Sequence, residues 1–270
     1  MKKQGILFAL FMAFMLILTA CGTSGKEEGT NGSDTKKKLR VVTDAAYAPF
    51  EYMDKAEIVG FDVDIFKAVA KEAGYDYEIV NVGWDPLFAE LQNKTADVGL
   101  SAITINDDRK KTYDFSVPYF KSTNKILAPQ NTTIKTAQDL KGKRVAVQTS
   151  TTGADAVDAL LGAKSKKVKK FENNNLAILE MKSGGADAVV ADNAVIEEYA
   201  KNNPKDKFIV IEDKDGFESE YYGLMFPKGS ELIEDMDKGF NAILDNGKYV
   251  EIYKKWFGTE PDVENLKAQQ

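Results

Sequence analysis

The chain contains no histidine, a single cysteine, and only three arginines (Arg40, Arg109 and Arg144) among its 36 basic residues. Each scarcity excludes something. Without histidine there is no Ser-His-Asp or Cys-His catalytic set and no histidine-bearing zinc site. With Cys21 alone there is no disulfide within the chain. The formal charge of −6 supplies no basic stripe to neutralise phosphates, which argues against nucleic acid as a partner. The apolar run from Gly5 to Leu18 is too short to span a bilayer comfortably.

That run follows Lys2-Lys3 and ends in Leu18-Thr19-Ala20-Cys21. The charged start and apolar middle predict a signal peptide over residues 1–20. The ending resembles the lipobox of bacterial lipoproteins, in which small residues precede a cysteine whose thiol takes a diacylglyceryl group and becomes the mature N-terminus. Cys21 is the expected lipidation site. From Gly22 to Lys38 there is no large apolar residue, so residues 21–38 are expected to be a flexible tether. The body would then sit on the extracellular face of the bacterial cell membrane, anchored by the lipid.

The body opens with a strand, Leu39 to Thr43, and Asp44 at its carboxyl end, where open α/β sheets bind ligands. Tyr47, Phe50 and Tyr52 follow in one loop, either packing beneath it or facing a ligand. Phe61 to Ala73 has helical apolar spacing, with Asp62 as the expected cap and Gly74 as the stop. After a strand over Tyr77 to Val82 comes Trp84, placed to stack on a ligand or to join the core. Asp85-Pro86 then predict an N-cap and first helical residue. The apolar stretch Ala96 to Leu100 runs into Ser101, Ala102, Thr104 and Arg109. Here an arginine fork among hydroxyls suits a carboxylate gripped through two parallel bonds. The competing reading is a helix start capped by Asp107 or Asp108, with Arg109 in solvent.

The plan then recurs. Gly142 to Val147 reads as a strand, and Gln148 to Gly153 as a loop rich in hydroxyls, including Thr151 and Thr152. The loop feeds the N-terminus of a helix over Ala154 to Leu161, a place suited to anions or simply an over-provided cap. Leu176 to Lys182, Ser183-Gly184-Gly185 and Ala186 to Ala191 repeat the helix, turn and Ala-Asp strand of Leu87 to Gly99, and the second copy ends in Asp192-Asn193. Tyr221 to Phe226 reads as one late strand able to return to the first half. These features predict an α/β fold of two similar lobes. Lobe one comprises residues 39–124 and 222–270, and lobe two comprises 125–221.

The segments Thr43 to Phe50, Val59 to Asp64, Ile103 to Arg109, Asp114-Phe115-Ser116, Asp139 to Lys143, Ala188 to Asp192 and Tyr253 to Gly258 together resemble the polar-amino-acid-binding proteins of ABC importers. This is family 3 of the bacterial extracellular solute-binding proteins, the glutamine, arginine, histidine and lysine group. The resemblance covers about Leu39 to Pro261. It implies a type II periplasmic-binding-protein fold, with two crossing strands joining lobes that close on one amino acid. It further implies that Arg109 pairs with the ligand α-carboxylate, with Ser101, Ala102 and Thr104 around it and Thr151 and Thr152 adding donors from lobe two. Asp192 would take the α-ammonium. Tyr47 and Trp84 would sandwich the side chain, whose far end meets Asp44.

Three departures bear on the ligand. The glutamine-specific branch carries lysine where this chain has Gln148, glycine where it has Ala102 and histidine where it has Ala191. Asp44, a neutral Gln148 and an indole suit a cation. The expected ligand is therefore arginine or another basic amino acid, with glutamine second, cystine third and a dicarboxylate least expected. The resemblance implies no cofactor or metal, and a monomer that partners the permease subunits. A dehydratase-like enzyme and a sensor are the other classes this cleft would serve.

Overall fold

Residues 38–270 are described by the computed structural model. Cys21, the signal-peptide segment and the tether up to Lys37 lie outside the described residues. The first half comprises β1 (Leu39–Thr43), three short strands β2 (Ala46–Tyr47), β3 (Glu51–Asp54) and β4 (Glu57–Val59), α1 (Phe61–Ala73), β5 (Tyr77–Asn81), α2 (Trp84–Gln92), β6 (Val98–Gly99), α3 (Asp107–Lys110) and β7 (Tyr113–Phe115). The long β8 (Phe120–Pro129) leads into β9 (Val145–Gln148), α4 (Thr152–Leu161), β10 (Val168–Phe171), α5 (Asn174–Lys182), β11 (Ala188–Asp192), α6 (Asn193–Asn202) and β12 (Phe208–Ile211). The chain closes with β13 (Ser219–Tyr222), β14 (Met225–Pro227), α7 (Ile233–Asp245), α8 (Lys248–Phe257) and α9 (Val263–Lys267).

Two sheets share one plan. The first runs β5-β1-β6-β14-β7, and the second runs β10-β9-β11-β8-β12. In each, the earliest parallel strand lies between the next two, and an antiparallel strand follows. The repeated Ala-Asp has the same task in both. Asp97 accepts from Arg40 N at 2.9 Å while its own N–H donates to Arg40 O, and Asp187 does the same for Arg144, with its carboxylate 2.8 Å from Arg144 N. The weak sequence repeat is thus a clamp at the start of each lead strand.

Period-two alternation sorts the second core. Val145 and Val147 pack on one face with Ile126, Ala154 and Val157, while Ala146 and Val189 face the other with Leu127, Ile178 and Ile196. In the first half, Phe61, Phe66, Phe226, Phe240 and Tyr249 gather α1, α7 and α8 onto the sheet. β8 and β13 pair antiparallel, Phe120 with Tyr222 through Thr123 with Ser219, and form the two crossing strands.

Three local expectations are corrected. The late strand is two strands, because the chain leaves β8's side at Gly223-Leu224 to enter the first sheet as β14. A Cβ on Gly223 would lie 2.8 Å from Ile105 Cδ1, so the crossing is tight. Asp85-Pro86 does not open α2; Gly83, at φ 86°, is its N-cap and Trp84 its first residue. Asp62 does not cap α1. Gly60 does, at φ 146°, where an added Cβ would stand 1.8 Å from the Phe50 carbonyl oxygen. Asp62 is instead completely buried and turned toward the loop after β6.

Candidate functional site

The carboxyl ends of the lead strands in the two sheets meet. β1 delivers Asp44 and β9 ends in Gln148, and Gln148 Nε2 donates to Asp44 Oδ2 at 3.0 Å. Burial pushes the Asp44 carboxyl above its ordinary range, and the Gln148 bond partly offsets this. β6 gives way to Ser101, Ala102 and Thr104, and β11 ends in Asp192. With Tyr47 of β2, Trp84 at the start of α2, Arg109 of α3, and Thr151 and Thr152 at the start of α4, these residues line one cavity of about 20 Å³. All eleven residues singled out from the sequence border it.

Arg109 is held by the helix start that its competing reading required, but not in solvent. Asn106, rather than Asp107 or Asp108, caps α3 by accepting from Arg109 N at 2.8 Å. The guanidinium donates to Thr104 O at 2.9 Å and, across the cleft, to Ser150 O at 3.2 Å. It lies 5.5 Å from the Trp84 ring centre and 5.4 Å from that of Phe88. The cation on the Trp84 indole is therefore a residue of the chain, where a ligand's cation was expected. Trp84 Nε1 also donates to Ser150 O, at 3.3 Å.

Asp192, almost fully buried, accepts from Tyr47 OH at 2.6 Å and from Tyr222 OH at 2.5 Å. Burial raises its pKa, and the two phenols and then Arg109 pull it back. Thr151 is the N-cap of α4 and accepts from Ala154 N. Its neighbour Thr152 faces a partner that the sequence reading missed.

That partner is Glu220, on crossing strand β13. Its Oε2 accepts from Thr104 Oγ1 at 2.8 Å and from Thr152 Oγ1 at 2.9 Å, and its Oε1 from Asn124 Nδ2 at 3.0 Å. Burial first, and then the Asp192 charge, raises its pKa to about 7. Glu220 is thus a third carboxyl group of the cleft, beside Asp44 and Asp192. The signal was present in the alternation of the strand: Glu220 is two residues from Tyr222 and so shares the face that reaches Asp192.

The site therefore has a guanidinium held by two backbone carbonyls and three acidic side chains around it, one of which holds two threonine hydroxyls. Residues 39–259 match the family model for bacterial extracellular solute-binding proteins, family 3. The chain belongs to that family. Similar relatives of this family 3 protein include a probable histidine-binding protein of Neisseria gonorrhoeae, 40% identical over 91% of this chain and 92% of the relative. The arginine-binding extracellular protein ArtP of Bacillus subtilis is 35% identical, over 96% and 99%. A crystal structure of the arginine-, lysine-, histidine-binding protein ArtJ of Geobacillus stearothermophilus superposes with a TM-score of 0.84 at 57% identity, covering 86% of this chain and all of that one. The fold is the type II arrangement of two α/β lobes, and the family is extracellular.

Proposed function

We propose that this protein captures a free basic amino acid, arginine foremost, by closing its lobes, and delivers it to the membrane permease of an ABC importer. The observation that carries the ligand class is the acidic surplus of the cleft. Asp44, Asp192 and Glu220 stand against the single Arg109. A zwitterion with a cationic side chain offsets that surplus, whereas a dicarboxylate adds to it. The names of the relatives ArtP and ArtJ support the same class. In this reading Arg109 pairs with the α-carboxylate, Ser101, Ala102, Thr104, Thr151 and Thr152 line its seat, with the Thr104 and Thr152 hydroxyls leaving Glu220 to donate to it, and Asp192 takes the α-ammonium. Tyr47, Trp84, Gln148 and Asp44 surround the side chain. The lobes are residues 39–124 with 222–270, and residues 125–221. A cavity of about 20 Å³ holds about one water, so loading requires the lobes to part.

Calorimetric titration of the tether-free protein against the twenty amino acids, ornithine and cystine tests the assignment. Arginine is expected to bind most tightly; glutamine binding more tightly than arginine would overturn the ligand class. Asp44→Asn is expected to weaken arginine about tenfold and glutamine far less, because only the former places a charge near Asp44.

We read the cleft as a binder rather than an enzyme. Glu220 titrates in the range useful to a general acid or base, but it is tied to two threonines and an asparagine. The anchor at Cys21 belongs to the same reading, in which a monomer is held beside its permease. Cys21→Ser protein is expected in the medium or as unprocessed precursor, and membrane-bound material of normal size would exclude lipidation.

A further inference from the structure

Behind the cradle lie two carboxyl groups shielded from bulk solvent. Glu51 of β3 and Asp62 of α1 are both 0% exposed. Each has one oxygen committed to the loop after β6: Glu51 Oε1 accepts from Ser101 Oγ at 2.9 Å, and Asp62 Oδ2 accepts from Ala102 N at 2.8 Å. Asp62 Oδ2 also accepts from Tyr119 OH at 2.6 Å, and Ser101 Oγ in turn accepts from Asp44 N at 3.2 Å. Their other oxygens, Glu51 Oε2 and Asp62 Oδ1, are buried with no hydrogen-bond partner. The two carboxyl groups hold successive residues of one loop, Ser101 and Ala102, and each acts on the charge of the other. Two carboxylates buried side by side cannot both stay ionised, and one hydrogen between them would satisfy both orphan oxygens.

We propose that Glu51 and Asp62 share one proton, and that this acid pair is the positioning device that holds Ser101 and Ala102 in shape for the ligand carboxylate. The proton resides on Glu51 and is donated to Asp62, which keeps its charge for the Ala102 N–H and the Tyr119 phenol. Ala102 needs such a hold, because its φ of 46° is left-handed and costly for a residue with a Cβ. The titratable groups facing the pair are Asp44 beyond β1, the phenols of Tyr47 and Tyr119, and Tyr249 of α8, with no cation among them. Burial, and then the neighbouring Asp62 charge, raises the Glu51 pKa far above its ordinary value, while burial brings Asp62 to about 6. A carboxyl raised by folding contributes stability that is full below its unfolded pKa and lost as pH rises through the folded one. The pair therefore weakens toward alkaline pH, and the cradle with it.

The inference rests on the reading of Ser101 and Ala102 as ligand contacts, so its test includes a readout independent of ligand. Infrared difference spectra of wild type against Glu51→Gln at about pH 8, where an ordinary carboxyl is ionised, should show one protonated-carboxyl carbonyl band present in the wild type and missing in the variant. Glu51→Gln supplies the bridging hydrogen permanently. It is expected to bind arginine within about threefold of wild type at neutral pH and to lose the alkaline decline in melting temperature. Asp62→Ala, folded by circular dichroism, is expected to bind at least tenfold more weakly. The absence of the band from wild type, or an equal loss of binding in Glu51→Gln and Asp62→Ala, would overturn the pair. If the band and the melting slope appear but no amino acid binds, the pair stands and the proposed ligand class fails.

Discussion

Arg109→Ala is expected to lose arginine at least thirtyfold with its fold intact. Its guanidinium is the one arginine head in the cleft, beside Thr104 and Ser150 and over the Trp84 and Phe88 rings. A ligand carboxylate seated there is desolvated when the lobes close. Removing one partner of such a pair costs about 2–5 kcal/mol, and 2 kcal/mol is about thirtyfold. Arg109→Lys is expected to recover only part, since an ammonium cannot form two parallel bonds or stack on indole as a guanidinium does. The loss should be equal for arginine and glutamine, because both carry the same α-carboxylate. Titration of both variants with both ligands decides it. Near-normal arginine binding by Arg109→Ala would leave Arg109 no role beyond bridging the two sides of the cleft.

Asp192→Asn is expected to lose binding by a similar factor for a different reason. Asparagine keeps an oxygen for the hydroxyls of Tyr47 and Tyr222, so the packing around it survives, and what disappears is the charge proposed to meet the ligand's α-ammonium. A charged hydrogen bond is about twice as strong as a neutral one. Asp192→Ala should be worse on both counts, since it also strips two buried phenols of their acceptor. Because burial raises the Asp192 pKa, its protonated form helps the fold at low pH and that help is lost as pH rises, while the proposed ammonium contact needs the ionised form. Arginine affinity should therefore fall on acidification through the raised value even as Asp192 favours folding. Melting curves and titrations across the acidic range measure both trends. Unchanged affinity in Asp192→Asn would remove the ammonium assignment.

Much of this site was legible because it sits where the strands end. Asp44, Ser101, Gln148 and Asp192 each follow or close an apolar run, and a polar residue at that boundary has few structural uses. The Ala-Asp repeat was legible too, although its clamp on Arg40 and Arg144 joins residues 57 and 43 positions apart. Asp62 misled because an acid in the first turn of a helix ordinarily caps it, and nothing local reveals that Gly60 passes too close to Phe50 to leave room for another residue. Glu220 was missed because its partners, Thr104 and Thr152, are 116 and 68 positions away. Only the pairing of β13 with β8 brings it into the cleft.

The two sheets are threaded differently, and that sets an order of events when the protein is made. Every strand of the second sheet lies between Phe120 and Tyr222, so this sheet needs no residue beyond Tyr222. The first sheet must wait for β14, which ends at Pro227 and inserts between β6 and β7. Until then β6 and β7 expose unpaired edges, with α7 and α8 still to come. The half made first is the half that finishes last, and during export it is the one in need of protection from wrong strand pairing.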